Sequence, residues 1–283
     1  MSEVLNEEYT QALWHWIRTR EQARVAKEAR AVPPWTDDPI ISHYHFCNVR
    51  RQDDRGTKEI QAAVQSAAII EESLPETYTM ARLLNHAPSL TVWLDWYKYG
   101  CKEGMGADHP FNRAAEGLKD YRSAGNKIFN TAYVVSTCGQ KVDKIDYITG
   151  VVRQVANLQL SRTSLVDAYN ELQTVSGMGT FLSGQVIADL KNDRYLVDAV
   201  DWWTWSSMGP GSKKGLDFIF GGGTSVGNYR ARMEQLIDVM PPDIMDMELH
   251  QQDLQNCLCE FSKYIRYRDG LDGRRRPYNA KVS

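Results

Sequence analysis

The stretch of this chain best suited to holding an anion is Val175-Ser176-Gly177-Met178-Gly179. Glycine permits positive φ and lets backbone approach a ligand closely, as a tight turn over a phosphate requires. Val186, Ile187 and Leu190 give the next segment an apolar side, which predicts a helix whose first N–H groups Gly179 leaves uncrowded. Such uncapped donors form an anion site, although an ordinary turn between two helices uses glycine in the same way.

Other stretches carry charge or aromatic surface with two readings each. Gly209, Gly211 and Gly215 bracket Lys213 and Lys214 in GPGSKKGLDF, either a phosphate cradle or a flexible surface turn. Arg50, Arg51 and Arg55 stand among Asp53 and Asp54, as local ion pairs or as forks for phosphate oxygens. In PPWTDDPI, Trp35 either plugs a core or walls a pocket with Asp37 and Asp38 at its rim. Asn256, Glu260 and Lys263 share one side of the last helical segment, as a solvated face or as a trio facing a cleft. His43-x-His45-x-Cys47 has no second cluster of ligand spacing, so no metal site is expected. The nucleotide-binding pattern G-x-x-x-x-G-K-[ST] occurs nowhere, which leaves nucleoside-triphosphate hydrolysis without local support.

The elements that must position these residues read as helices. Apolar residues at helical spacing predict helices over residues 4–31, 58–70, 77–104, 111–135, 143–159, 161–172 and 249–268, with another after Gly179. Alternating strand signals are scarce, so the fold class is mainly α. One catalytic unit is expected, in two helical lobes over residues 1–160 and 161–268. A basic tail, 269–283, carries Arg274, Arg275 and Arg276 for sequence-independent contact with DNA.

Composition sets the surroundings. With 283 residues, 42% of them hydrophobic and 24% charged, the chain suits an ordinary globular protein. The net charge of −3 confines any nucleic-acid site to a local basic patch. Five scattered cysteines point to reduced thiols and a cytoplasmic setting, and the acidic start MSEVLNEEY does not resemble a signal peptide. No apolar run reaches membrane-span length.

Two resemblances follow from these stretches. The glycine hairpin and its flanking helices resemble the helix-hairpin-helix of base-excision DNA glycosylases, which implies a two-lobed helical glycosylase-like fold. There the hairpin, here Gly177, Gly179 and Thr180, clamps one DNA strand, and a downstream aspartate faces a flipped nucleotide. Asp198 falls near that place, with Asp201 one turn later. Phe181 stands where glycosylase-lyases have a lysine, and Cys257 with Cys259 are too few for an iron–sulfur loop.

PPWTDDPI, FCNVRRQDDRGT, VDAVDWWTW, GPGSKKGL and LQNCLCEFSKY together resemble the phage α-glutamyl/putrescinyl thymine pyrophosphorylases, described as amino acid:DNA transferases. That likeness implies a phage enzyme in the cytoplasm of an infected bacterium, acting on double-stranded DNA without organic cofactor. It would join an amino acid such as glycine to 5-phosphomethyl- or 5-pyrophosphomethyl-uracil, displacing (pyro)phosphate, after a hydroxymethyluracil DNA kinase. Asp198 would then be the base, with Asp201 and Glu260 as rivals. Lys213, Lys214, Arg50 and Arg51 would hold the leaving phosphate, with Lys263 beside them. Asn48 would read the uracil edge, and Trp35 or Trp202 would stack on the base. A glycosylase excising modified pyrimidines and a non-catalytic DNA-binding module are the alternatives.

Overall fold

The structure, a computed structural model, describes residues 3–130 and 136–271. Among these residues it contains thirteen α-helices and no strand, so the mainly α expectation holds. In chain order they are α1 (Glu7–Glu28), α2 (Pro39–His43), α3 (Arg55–Ala67), α4 (Leu74–Leu84), α5 (Ala87–Glu103), α6 (His109–Ser123) and α7 (Lys144–Ala156). There follow α8 (Leu165–Leu172), α9 (Thr180–Lys191), α10 (Pro210–Phe220), α11 (Val226–Asp238), α12 (Pro242–Met245) and α13 (Gln251–Arg268). Among the described residues, no helix is long and apolar enough to cross a membrane.

The chain divides into two compact units, residues 1–54 with 203–283 and residues 55–202. This partition differs from consecutive lobes meeting near residue 160. The chain leaves the first unit after Asp54 and returns at Trp203, because α1 and α13, from opposite ends of the sequence, share one core.

In the first unit α1 begins at Asn6, whose side chain accepts the Tyr9 N–H at 3.1 Å, with Glu7 and Glu8 favourably placed in the first turn. Its apolar side, Leu13, Trp14, Trp16 and Ile17, is fully buried with Leu254, Leu258, Phe261 and Ile265 of α13. The α10–α13 contact depends on two absent side chains. A Cβ at Gly211 would lie 2.3 Å from Cys259 Sγ, and one at Gly215 would lie 2.4 Å from the Leu258 carbonyl oxygen. Gly211 and Gly215 therefore belong to a helix-packing face, and the stretch expected as a loop is helix from Pro210.

The second unit is arranged around α4, every residue of which is buried. The single helix expected over 77–104 is two, since Asn85 turns left-handed at φ 44° and Pro88 opens α5. Arg82 on α4 pairs with Asp189 on α9 at 2.5 Å, and Tyr78 donates to Asp193 at 2.6 Å. Together they fix the second helix of the glycine hairpin against the unit's core.

Candidate functional site

A polar cleft of about 550 Å³ opens in the first unit, lined by His15, Thr19 and Gln22 of α1 and by residues 35–38 of the loop before α2. Residues 15, 19 and 22 share one side of α1, roughly opposite its apolar side, because each step of a helix turns about 100°. Trp35 lines the loop wall. Its Nε1 donates to the Ala31 carbonyl at 2.8 Å, and the Lys27 ammonium lies 5.2 Å from the ring centroid. Asp37 and Asp38 line the cleft beside it.

Asp38 organises that wall. One carboxylate oxygen accepts the Ile40 and Ile41 N–H groups, both at 2.9 Å, and so caps α2. The other lies 3.0 Å from His15 Nε2 and accepts the Tyr264 hydroxyl of α13 at 2.9 Å. Burial pushes the Asp38 carboxyl up, but the Ile41 N–H, His15 and Tyr264 outweigh it and hold its pKa below the usual range. An ionised Asp38 can only accept, so His15 Nε2 turns an N–H toward it.

A buried polar cluster joins α13 to the segment 47–54 between α2 and α3. Glu260 is almost fully buried; it accepts the Cys47 N–H at 3.0 Å and pairs with Lys263 at 2.5 Å. Burial weighs against the Lys263 ammonium, yet Glu260 prevails and raises its pKa. Asp54 accepts the Asn48 N–H at 2.8 Å, and burial, with Glu260's charge adding to it, pushes its carboxyl up to about 6. Cys47 and Cys259 are likewise raised by burial, Cys259 to about 11, which makes both thiols poor nucleophiles at neutral pH.

Several expected site residues prove to be engaged in holding the fold. Asn48 accepts from Arg20 and donates to the Asp53 carbonyl at 2.8 Å, which ties its amide into the fold. Arg50 ties Glu21, at 3.1 Å, to the Met247 carbonyl. Arg51 belongs to the charge environment of Asp54. Lys213 pairs with Asp217 at 2.6 Å one turn along α10, while Lys214 is exposed. Trp202, in the second unit, is pinned by Lys191. That fully buried lysine donates to the Trp202 carbonyl at 2.5 Å and lies 4.0 Å from the ring centroid, which makes Trp202 a structural plug.

In the second unit, residues 173–179 form the turn between α8 and α9. Val175 and Met178 anchor it inward while Ser176, Gly177, Gly179 and Thr180 are exposed. Gly177 has φ +95°, which excludes most side chains, whereas Gly179 has φ −73° and open space where a Cβ would stand. No side chain caps α9. Asp201 accepts the Leu165 N–H at 2.6 Å and the Val166 N–H at 3.0 Å, so it caps α8 and is not poised as a base. Asp198 is exposed in this unit and does not line the Trp35 cleft. Arg274, Arg275 and Arg276 lie outside the described residues.

Sequence reading missed His15, Tyr264, Thr19 and Gln22. The signal available was the polar spacing of 15, 19 and 22 on α1, hidden within a segment read for its apolar residues.

Comparison with known proteins decides the family. The family described as "5-hmdU DNA kinase, helical domain" matches residues 7–270. The chain belongs to that family. A 5-hmdU DNA kinase of Bacillus phage SP10 is 25% identical over 272 residues, covering 83% of this chain and 41% of the phage protein. The helical-domain chain thus spans about two fifths of the curated relative it matches. No solved structure matches. These matches overturn membership of the amino acid:DNA transferases, and with it the transfer of an amino acid onto phosphomethylated uracil.

Proposed function

We propose that this chain is a helical module of DNA thymidine hypermodification that engages DNA bearing 5-hydroxymethyluracil. The family match over residues 7–270 carries this reading, since it covers both units and names the modified nucleoside. The α8–α9 turn supports it. Glycine stands at 179 although neither backbone angle nor space demands it, and a Ser or Asp there would satisfy the first N–H groups of α9. A helix start without a side-chain cap suits a DNA phosphate oxygen. On this reading residues 165–191 form a helix-hairpin-helix in a glycosylase-like fold, and an altered base is reached by extrusion from the duplex.

The test is binding of the purified chain to duplexes that differ at one position, thymine against 5-hydroxymethyluracil, followed by fluorescence anisotropy. Tighter binding of the hydroxymethylated duplex is expected. Equal affinity for the two duplexes would refute the proposal.

A further inference from the structure

The cleft of the first unit has a feature that DNA binding in general does not require: a histidine with its tautomer fixed beside an aromatic wall. His15 is held through Nε2 by Asp38, whose side chain is only 8% exposed and is itself fixed by two backbone N–H groups and the Tyr264 hydroxyl. The His15 side chain is 54% exposed and lines the cleft, and with Nε2 turned to Asp38 its Nδ1 is the nitrogen left for a ligand. Thr19 and Gln22, on the same side of α1, supply a hydroxyl and an amide, the donor and acceptor set that a uracil edge needs.

The charge of the lining narrows the ligand. Asp37 and Asp38 contribute two carboxylates to the lining, which the Lys27 ammonium over the Trp35 ring offsets only in part. A phosphate would meet like charge there, with no fork to receive it. A neutral ring with a hydroxyl substituent meets an aromatic wall, an amide and an imidazole acceptor. At about 550 Å³ the cleft lies within the range of small-ligand sites and has room for one pyrimidine.

Resting on the DNA reading above, we propose that this cleft receives the extruded 5-hydroxymethyluracil. Trp35 stacks on the ring, and His15 Nδ1 accepts a hydrogen bond from the 5-hydroxymethyl O–H. Asp38 is a positioning residue that keeps His15 in the accepting tautomer. The pocket therefore selects the hydroxymethyl base over thymine, which lacks the donor, and over 5-phosphomethyluracil, which the two aspartates repel. One net hydrogen bond in a half-exposed site corresponds to a preference of up to about tenfold.

The experiment measures affinity for three duplexes carrying thymine, 5-hydroxymethyluracil or 5-phosphomethyluracil, with the unchanged protein and with His15→Ala. The unchanged protein is expected to favour the hydroxymethyl duplex alone. His15→Ala should erase that preference. A preference that survives in His15→Ala overturns the pocket but leaves the DNA reading standing, and a preference for the phosphomethyl duplex also overturns the pocket. Equal binding of all three by the unchanged protein overturns the DNA reading and the pocket together. A second readout needs no variant: a duplex with 5-iodouracil at the target position, irradiated with the protein, should cross-link to Trp35. A cross-link mapped by mass spectrometry outside residues 15–38 overturns the pocket.

Discussion

At the scale of single residues, the first unit keeps its ionisable groups in opposite conditions. Asp38 is ionised and held low by its donors, whereas Asp54, with burial and Glu260 against it, titrates near 6 instead of its ordinary 3.8. The sign of the resulting pH dependence follows. Below the unfolded value Asp54 is protonated in both folded and unfolded chains and costs nothing. As pH rises through about 6 the folded chain must ionise a buried carboxyl, and stability falls. Asp54→Asn keeps an oxygen for the Asn48 N–H and removes the charge. It should leave stability unchanged at about pH 4 and raise it by ~1–3 kcal/mol at about pH 8. Urea unfolding of both proteins at the two pH values checks this, and a difference independent of pH would show that Asp54 does not titrate as described. Burial of this kind is invisible in FCNVRRQDDRGT, where Asp53 and Asp54 look equivalent; only the fold separates them.

At the scale of elements, the glycines divide into those the packing requires and those it does not. Gly215→Ala would drive a Cβ into the Leu258 carbonyl of α13, a backbone atom with no rotamer by which to yield. We expect α10 and α13 to be forced apart at a cost of roughly 2–4 kcal/mol, above ordinary overpacking because the obstacle is main chain. Gly179→Ala meets nothing within 4 Å at an ordinary φ and should fold with an unchanged midpoint. Thermal unfolding of the two variants side by side makes the comparison. A stable Gly215→Ala would mean that the helices do not approach this closely. Most helices were legible in the sequence, because α1, α3, α7 and α13 bury one regular side. The loop reading of GPGSKKGLDF failed because glycine within a helix has the same letters as glycine in a turn, and only the partner helix tells them apart. That Trp35 stands beside Asp37 and Asp38 was legible from PPWTDDPI. His15 was not, since its partner Asp38 comes from the loop and Tyr264 from the far end of the chain.

At the scale of the whole molecule, 33 basic residues face 36 acidic ones, and much of the basic set is already paired within the protein. Arg18 is held by Asp243, Arg24 by Glu21, Arg82 by Asp189 and Arg232 by Glu3. Attraction of DNA over the general surface is therefore weak, and two kinds of contact are left to differ in their response to salt. On the proposed DNA reading, neutral N–H donors at the start of α9 would hold a phosphate without releasing a counterion, whereas Lys214 and the arginines at 274–276 would release about one each. The slope of log affinity against log salt should accordingly be shallow, at about −2 to −4. Lys214→Ala should reduce its magnitude by about 1, and replacing Arg274, Arg275 and Arg276 together by Ala should reduce it by about 2 to 3. Gly179→Ala should weaken binding at every salt concentration and leave the slope unchanged, because it obstructs a neutral contact. Anisotropy titrations over a range of potassium chloride concentrations separate these outcomes. A Gly179→Ala variant that binds as well as the unchanged protein would remove the hairpin from the DNA contact and leave the cations to account for it.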